Sequence, residues 1–485
     1  MSDARPLPQR VVIAGDGQLG ALTAVALKRA LPSSEIVVIG GSFDPAALAD
    51  TATSALPFTN RLHDSLGIDE DVLVRRCGAS HRLAVRYLGW GGAQHEGVAA
   101  YGGAGDPALR TAFARDWGSG IRHASSERPA GSVSEALARA GRFARPSGEA
   151  GGPLAEVDYC LRWNGAAYRD LLVEYAHGLG VAYHRGRIVG GAPDGAGGLA
   201  AIAVEDVGQV AADLFLDCSG PQGLLSQLPD YRGVDWSDQL PVRGLIYARR
   251  GDPALSLADT VLLTSSGWLA EGAGRDGRSR MLAAPEAATD AEIRAALHAE
   301  PVSALALHPG RAERAWIGNV VALGDAAATF EPLGWLNLDL AHRQLALLLE
   351  LLPGNTPDPR ERDEFNRRAA LMADRVRDFV AAHYAAPAAG AVFGTLARSP
   401  ELALALDQFE RRGRLPFFEE TPMLVQEWAV MLDALGIRAG PSPLTQAADP
   451  RATAAAADAM AHKCEAALRA APPYGEWMTR MLQAQ

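Results

Sequence analysis

The sequence predicts an α/β fold of the Rossmann type, and two strand–turn–helix patterns are the basis of this prediction. In the first pattern, the apolar run from Arg10 to Ala14 leads directly into a glycine-rich turn from Gly15 to Gly20. Apolar residues then recur at helical spacing from about Leu19 to Leu31, and another apolar run follows from Glu35 to Ile39. Strand, turn, helix and strand in this order are the setting in which G-x-G-x-x-G binds a dinucleotide.

Each glycine of this turn has a separate role. Gly15 permits the tight turn, Gly17 lets a pyrophosphate approach the backbone, and Gly20 lets the helix pack closely on the strand. The alternative is a glycine-rich turn that binds nothing. The acidic residue expected about 20 residues further on, which would hold the adenosine ribose, is replaced by Gly40-Gly41. We therefore expect loose ribose binding, or a contact from Ser42 or from a backbone group.

The second pattern lies near the middle of the chain. The short apolar run from Val320 to Leu323 is typical of a strand buried on both faces, and it ends at Gly324 and Asp325. Pro332 forces a turn, and helical spacing resumes from Leu338 to Leu352. An Asp after such a strand can accept a hydrogen bond from a ribityl hydroxyl, and the following helix N-terminus stabilises negative charge on a flavin ring. An ordinary buried strand–turn–helix is the alternative.

Composition limits the classes of function. The chain has 485 residues, 48% of them hydrophobic and 21% charged, so it can bury a large core in two or three domains. Its net charge of -11 argues against a nucleic-acid partner. The first ten residues lack the apolar segment of a signal peptide, and no apolar run reaches the 18 residues of a membrane span. We expect a cytoplasmic protein with reduced, widely spaced cysteines and no metal site: Cys77, Cys160, Cys218 and Cys464.

The order of elements predicts how the chain is organised. Residues 1–352 are expected to form the nucleotide-binding module, interrupted by substrate-side insertions at about 90–155 and 240–310. Strands are predicted at Val242 to Arg249 and at Thr260 to Leu269, as parts of a second sheet. Residues 353–485 are expected to be mainly helical.

Several motifs together resemble the flavin-dependent tryptophan halogenase family. They occur in the family's order over about residues 10 to 385: V-V-I-A-G-D-G-Q-L-G at 11–20, A-S-H-R-L-A-V-R-Y-L-G-W at 79–90, D-L-F-L-D-C-S-G at 213–220, D-W-S-D-Q-L-P at 235–241, W-I-G-N-V-V-A-L-G-D-A-A at 316–327, F-E-P-L at 330–333, and F-N-R-R with R-D-F-V-A-A-H-Y at 365–384. The resemblance implies the three-layer flavin monooxygenase/halogenase fold, with a second substrate-side sheet and a C-terminal helical region.

The same resemblance implies a two-component enzyme that uses FAD, received in its reduced form from a separate flavin reductase. In the family's halogenases, oxygen and halide then give hypohalous acid, which reaches a lysine beside an aromatic substrate. The segment from Thr51 to Pro57 is expected to pass near the flavin ring, which adds Ala52 and Thr53 to the cofactor-binding candidates beside Gly324, Asp325 and Pro332. The sequence is compatible with a homodimer and indicates no membrane partner.

This sequence departs from the family at the positions that halogenation uses. The family's lysine aligns with Arg82, and a guanidinium keeps its proton where an amine can form a haloamine. The family's W-x-W-x-I-P appears as W-L-A-E-G-A at 268–273, with one Trp and no Pro. The family's Glu-Ser-Thr-Gly, which provides a carboxylate near the lysine and the halide site, is replaced by G-W-L-N at 334–337.

We therefore expect an FAD-dependent monooxygenase acting on an aromatic or amino-acid-like substrate. A halogenase with a rebuilt active site and a non-catalytic flavin-fold binding protein are the alternatives. Arg82, His81, Trp335 and Asn337 are the candidate catalytic residues. His81 is a candidate acid or base, as is His95, although a lone histidine is more often structural. Trp335 takes the halide position and either covers the flavin or only packs. Asp339 either captures a substrate ammonium or caps the helix N-terminus.

Overall fold

The computed structural model describes residues 6–41, 44–102, 130–146, 151–441 and 449–483. Contacts divide the chain into two units, each assembled from three stretches of sequence. The first unit comprises Met1–Gly78, Trp163–Ser237 and Leu305–Val376, and the second comprises Ala79–Arg162, Asp238–Ala304 and Arg377–Gln485. The predicted boundary after residue 352 stays a prediction. Parts of the predicted insertion at 90–155, namely 103–129 and 147–150, lie outside the described residues.

The first unit is built on a six-stranded sheet that confirms the predicted Rossmann-type fold. Its strands lie in the order Trp316–Ile317, Val320–Ala322, Leu214–Asp217, Arg10–Ala14, Glu35–Gly40 and Ala182–Arg185. Neighbouring strands of this sheet pair in parallel, except for the antiparallel edge pair of Trp316–Ile317 with Val320–Ala322. The central strand Arg10–Ala14 is buried almost throughout, because helices of an α/β protein cover both faces of such a sheet.

Helices and two small sheets complete the first unit. The helices are Gln18–Ala30, Leu48–Thr51, Phe58–Ser65, Glu70–Arg76, Gly165–Gly178, Leu336–Glu350 and the greater part of Pro359–His383. The small sheets order their strands as Gly208–Ala211, Leu199–Val204, Ile188–Pro193 and as Gly233–Asp235, Gly310–Ala312, Ala328–Thr329. The helix predicted to begin at Leu338 begins two residues earlier, at Leu336.

The second unit contains a seven-stranded sheet, as the resemblance implied. Its order is Pro301–Ala306, Gly244–Ala248, Ser279–Ala284, Gly267–Gly272, Ala258–Thr264, Ala84–Leu88 and Glu96–Ala100. A separate two-stranded ladder pairs Ser80–Arg82 with Cys160–Arg162. The prediction of a single strand from Thr260 to Leu269 was wrong. This stretch belongs to a hairpin of two strands, because Gly267 has a positive φ of 139° and the chain turns after Thr264.

The second unit also contains helices, and those beyond residue 353 confirm the predicted helical C-terminal region. The helices are Val133–Ala140, Asp290–Leu297, Gly390–Phe393, Pro400–Arg412, Val425–Ala434, Pro450–Ala470 and Tyr474–Gln483. Of the helices that the structure describes, none has both the length and the apolar character needed to cross a membrane.

Candidate functional site

Two glycines of the turn in the first unit, Gly15 and Gly20, stand at backbone positions that only glycine fits. Gly15 has a φ of 103°, and a Cβ added there would lie 2.6 Å from the carbonyl oxygen of Cys218. A Cβ at Gly20 would lie 2.0 Å from the carbonyl oxygen of Gly15. Neither position therefore tolerates a side chain, so the helix Gln18–Ala30 starts tightly against the end of the first strand.

An acidic side chain lies against the end of the second strand, although that strand itself ends in glycine. A Cβ added at Gly40 would come 2.6 Å from the Asp16 carboxylate. Arg169 forms an ion pair with Asp16, and its Nε donates to the Asp16 carbonyl oxygen over 2.6 Å. Asp16 was not among the predicted ribose ligands, because such an acid is expected after the second strand. Ser42, the predicted substitute, lies outside the described residues.

Asp50 is a second acid at the turn that was not predicted from the sequence. The backbone N–H of Leu19 donates to Asp50 Oδ1 over 2.9 Å. A Cβ added at Gly17 would lie 2.0 Å from the Asp50 carboxyl group, so this carboxyl fills the space that the glycine leaves open. Desolvation raises the Asp50 pKa to about 7, against the lowering effect of the Leu19 hydrogen bond. Nothing in the local sequence indicated that Asp50 would fold back onto the turn.

Asp325, the charged member of the cofactor candidates, is held by the short helix Leu48–Thr51. Asp325 Oδ2 accepts from the N–H of Ala49 over 2.7 Å, while Oδ1 is buried without a hydrogen-bond partner in the described part of the chain. Desolvation raises the Asp325 pKa to about 8. An unsatisfied buried oxygen is costly, so a hydroxyl that reached Oδ1 would be bound favourably.

The segment predicted to pass near the flavin is held by its backbone. Gln18 Nε2 donates to the carbonyl oxygens of Ala49 and Ala52 over 2.6 and 2.7 Å, and the carbonyl oxygen of Thr53 accepts from the N–H of Trp163 over 2.8 Å. The glycine-rich turn from Gly15 to Gly20 and the partnerless Oδ1 of Asp325 fit a flavin dinucleotide.

Residues 334–337, which the resemblance predicts to stand in place of the family's halide site, lie at the start of the helix Leu336–Glu350. Trp335 has a left-handed backbone, with φ 60° and ψ 36°, and follows Gly334 with φ 78°. A bulky residue in this region costs of the order of 1–3 kcal/mol. Asn337 Nδ2 donates to the carbonyl oxygen of Phe330 over 2.9 Å, and its Oδ1 is buried with no described partner. Pro332 accepts from the N–H of Trp335 over 3.2 Å.

Arg82 lies in the second unit and is fully buried in a polar cluster. Its Nη1 donates to Asp259 Oδ2 over 2.9 Å, its Nε donates to Cys160 Sγ over 3.1 Å, and its guanidinium carbon lies 5.7 Å from the ring centre of Tyr101. Asp259 Oδ1 also accepts from Arg162 Nη1 over 2.6 Å. Burial alone would lower the pKa of Arg82, but the neighbouring groups raise it overall. The guanidinium therefore stays protonated.

The neighbouring histidine, His81, is enclosed by aromatic rings. Its backbone N–H donates to the hydroxyl of Tyr474 over 2.7 Å, and its ring centre lies 4.1 Å from that of Phe143 and 4.8 Å from that of Trp477. This surrounding favours a structural role for His81. The second histidine, His95, has Nε2 at 3.0 Å from the carbonyl oxygen of Ala434.

The candidate residues thus fall into two groups. Gly15, Gly17, Gly20, Ala52, Thr53, Gly324, Asp325, Pro332, Trp335 and Asn337 lie in the first unit, and His81 and Arg82 lie in the second. Asp339, a candidate ligand for a substrate ammonium group, forms an ion pair with Arg343 over 2.6 Å. The described residues contain no cluster of His, Cys, Asp and Glu suited to a metal ion.

Two buried histidines should lower the free energy of unfolding of this protein in mild acid. Desolvation lowers the pKa of His63 and of His383 to about 4, from 6.5. Below pH 6.5 these two histidines bind protons in the unfolded chain but stay neutral in the folded chain. The free energy of unfolding therefore falls as the pH drops from 6.5 towards 4. We expect a loss of about 2 kcal/mol per histidine between pH 7 and pH 5. Urea unfolding at both pH values measures it.

The matched variants of this experiment are His63→Gln and His298→Gln. A glutamine in place of His63 would still reach the hydroxyl of Tyr168, which His63 Nε2 contacts over 2.7 Å, but it does not titrate. His298 is exposed. The acid sensitivity should shrink by about 2 kcal/mol in His63→Gln and stay unchanged in His298→Gln. If the wild-type protein and His63→Gln lost equal stability between pH 7 and pH 5, the lowered pKa of His63 would not be the cause of the acid sensitivity.

Known proteins with a similar sequence belong to the family that the motifs resemble. The family model described as "Tryptophan halogenase" matches residues 10–450. The chain is 25% identical over 499 residues to tryptophan 6-halogenase SttH of Streptomyces toxytricini, covering 92% of this chain and 93% of the relative. It is 24% identical to tryptophan 7-halogenase RebH of Lentzea aerocolonigenes, covering 77% of this chain and 76% of the relative.

Solved structures show the same fold. The structure of BrvH, a flavin-dependent halogenase from Brevundimonas sp. BAL3, superposes with a TM-score of 0.87 at 23% identity, covering 98% of this chain and 99% of that one. The structure of Xcc4156, a flavin-dependent halogenase from Xanthomonas campestris, gives 0.85 at 23% identity, covering 98% of both chains. Because the family model spans most of the sequence, the chain belongs to the flavin-dependent tryptophan halogenase family.

Proposed function

We propose that this chain is an FAD-dependent monooxygenase that transfers oxygen to an aromatic or amino-acid-like substrate without using halide. The observation that carries the proposal is the state of Arg82 at the family's lysine position. Its Nη1 and Nε are committed to Asp259 and Cys160, and its side chain has no exposed surface. A protonated, fully buried guanidinium offers no amine lone pair for a haloamine.

The residues at the halide position support the same proposal. A halide must shed water to lie beside a flavin, and that desolvation is costly without hydrogen-bond donors. The family's Ser and Thr are replaced by Trp335 and Leu336, whose side chains provide no hydroxyl. The Nδ2 of Asn337 donates to the carbonyl oxygen of Phe330, so this donor is already in use.

FAD would be held by backbone and side-chain groups of the first unit. The turn from Gly15 to Gly20 would receive the pyrophosphate at the helix N-terminus. The partnerless Oδ1 of Asp325 would contact a ribityl hydroxyl. When bound in its reduced form, FAD would supply the chemistry that activates dioxygen. The chain's own residues bind and orient it: Trp335, set at the helix start by its left-handed backbone, would cover one face of the ring and limit water access.

A separate flavin reductase would supply the reduced FAD, as the family resemblance implies. The proposal therefore includes a transient reductase partner. A halogenase with a rebuilt active site is the second candidate, favoured by the family membership itself.

The experiment that tests the proposal follows the fate of oxygen. The purified protein receives FAD, a flavin reductase, NADH and ¹⁸O₂ with a panel of indoles, phenols and aromatic amino acids, without halide. Mass spectrometry should detect a product that contains one ¹⁸O atom and is absent when the protein is heat-inactivated. Omitting the reductase should also abolish this product. Failure of FAD to bind in calorimetry would favour the binding-only alternative, and a product that forms only with chloride or bromide would favour the halogenase.

A further inference from the structure

The phosphate-binding turn already has an anionic acceptor of its own. In a G-x-G-x-x-G turn, the pyrophosphate accepts from N–H groups at the helix N-terminus and lies against the second glycine. Here the N–H of Leu19 donates to Asp50 Oδ1 over 2.9 Å, and the Asp50 carboxyl lies where a Cβ of Gly17 would be. The side chain of Asp50 therefore occupies the position at which this type of turn binds a phosphate oxygen.

The charges around Asp50 oppose a second anion. Asp16 acts on Asp50 from the turn, and Asp50 and Asp44 both act on Asp325. Arg169, on the helix Gly165–Gly178, is the cation that acts on Asp50, but it is already paired with the carboxylate of Asp16. An ionised Asp50 and a pyrophosphate at the same N–H would repel each other with little compensation.

We propose that Asp50 controls the affinity of this chain for FAD: the pyrophosphate is admitted only when the Asp50 carboxyl is neutral and gives up the N–H of Leu19. This inference rests on the proposed use of FAD. A neutral carboxyl has an O–H that can donate to a phosphate oxygen, so protonation turns a competitor into a ligand. Asp50 is a positioning residue in this role, since it acts on cofactor binding and not on the reacting atoms.

The raised pKa of Asp50 makes this control effective near neutral pH. Desolvation brings the pKa to about 7, so half of the free protein has a neutral carboxyl at that pH. Binding that requires the neutral form weakens by about tenfold for each pH unit above 7, which amounts to about 30-fold between pH 6 and pH 8.5. Asp325, with a pKa of about 8, adds its own pH dependence, so the role of Asp50 is read from the difference between variants.

The test is isothermal titration with FAD of the wild-type protein and of Asp50→Asn between pH 6 and pH 8.5. An asparagine keeps an oxygen for the N–H of Leu19 and adds an amide donor, but it has no charge. Asp50→Asn should bind FAD about 30-fold more tightly than the wild-type protein at pH 8.5 and equally well at pH 6. Asp64→Asn is the matched control, because Asp64 is exposed on the nearby helix Phe58–Ser65, and it should behave as the wild-type protein does.

A second measurement does not depend on any variant. Titration of the wild-type protein at pH 8 in two buffers of different ionisation enthalpy measures the protons taken up with each FAD. Asp50 should contribute about one proton, so uptake should fall by that amount in Asp50→Asn. Asp50→Ala, which also removes the competing carboxylate, should bind FAD more tightly than the wild-type protein at pH 8.5.

The outcomes separate the two proposals. Equal affinity and equal proton uptake in the wild-type protein and in both Asp50 variants would overturn the role of Asp50 and leave FAD binding intact. Absence of FAD binding at every pH in all of the proteins would overturn both. Circular dichroism of each variant confirms that the comparison is made between folded proteins.

Discussion

Replacing Asp259 by alanine should destabilise this protein by about 3–5 kcal/mol, the largest effect that we expect from a single substitution. Asp259 is 1% exposed and accepts hydrogen bonds from Arg82 over 2.9 Å and from Arg162 over 2.6 Å. Arginine does not lose its proton inside proteins. Removal of the carboxylate therefore leaves two buried guanidinium groups without their shared counter-charge.

Urea unfolding followed by tryptophan fluorescence measures this loss. Asp259→Asn retains the shape and one acceptor oxygen, so its effect should lie below that of Asp259→Ala. The control is Glu271→Ala on the same sheet, which breaks an ion pair with Arg280 whose side chains are both more than a third exposed. Exposed pairs contribute about 0–1 kcal/mol. A loss in Asp259→Ala no greater than in Glu271→Ala would show that the cluster does not depend on this carboxylate.

The sequence predicted the features of the fold that depend on local periodicity. The buried strand Arg10–Ala14, the glycine-rich turn and the following helix were recognisable because apolar spacing and glycine positions are local properties. The helical character after residue 353 was visible for the same reason. The hairpin at Gly267 was missed because Thr260 to Leu269 reads as one apolar stretch, and the turn depends on a single glycine.

The site was less predictable because its contacts join distant residues. Asp259 lies 177 positions from Arg82, and no local pattern relates them. Asp50 lies 31 positions from Leu19, one residue before the segment from Thr51 to Pro57 that was predicted to pass near a flavin. The left-handed backbone of Trp335 was also beyond prediction, since bulky residues rarely adopt it. Glycine positions could be read directly, whereas the partners of charged groups required the tertiary structure.

A mixture of the purified protein, FAD, a flavin reductase, NADH and oxygen, supplied first with chloride and then with bromide, should consume NADH without halogenating free tryptophan. Two separate steps are affected. Trp335 and Leu336 provide no hydroxyl donors for a desolvated halide, so its oxidation should fail. Arg82 cannot hold and aim hypohalous acid as an amine does, so positioning would fail even if that acid were formed. The expected yield of chlorotryptophan or bromotryptophan by mass spectrometry is zero above a protein-free control.

Restoring one element should not restore the activity, because each element serves a different step. Arg82→Lys would return an amine to the family's position, but the lysine cannot donate to both Asp259 and Cys160 in the fixed geometry of a guanidinium. The Arg82→Lys variant should be less stable and still yield no halogenated product. Replacement of 334–337 by Glu-Ser-Thr-Gly alone should also yield no halogenated product. SttH, the tryptophan 6-halogenase relative, is the positive control for the assay. A halogenated tryptophan made by the wild-type protein, and lost in an Arg82→Ala variant that circular dichroism shows to be folded, would make the rebuilt halogenase the correct assignment.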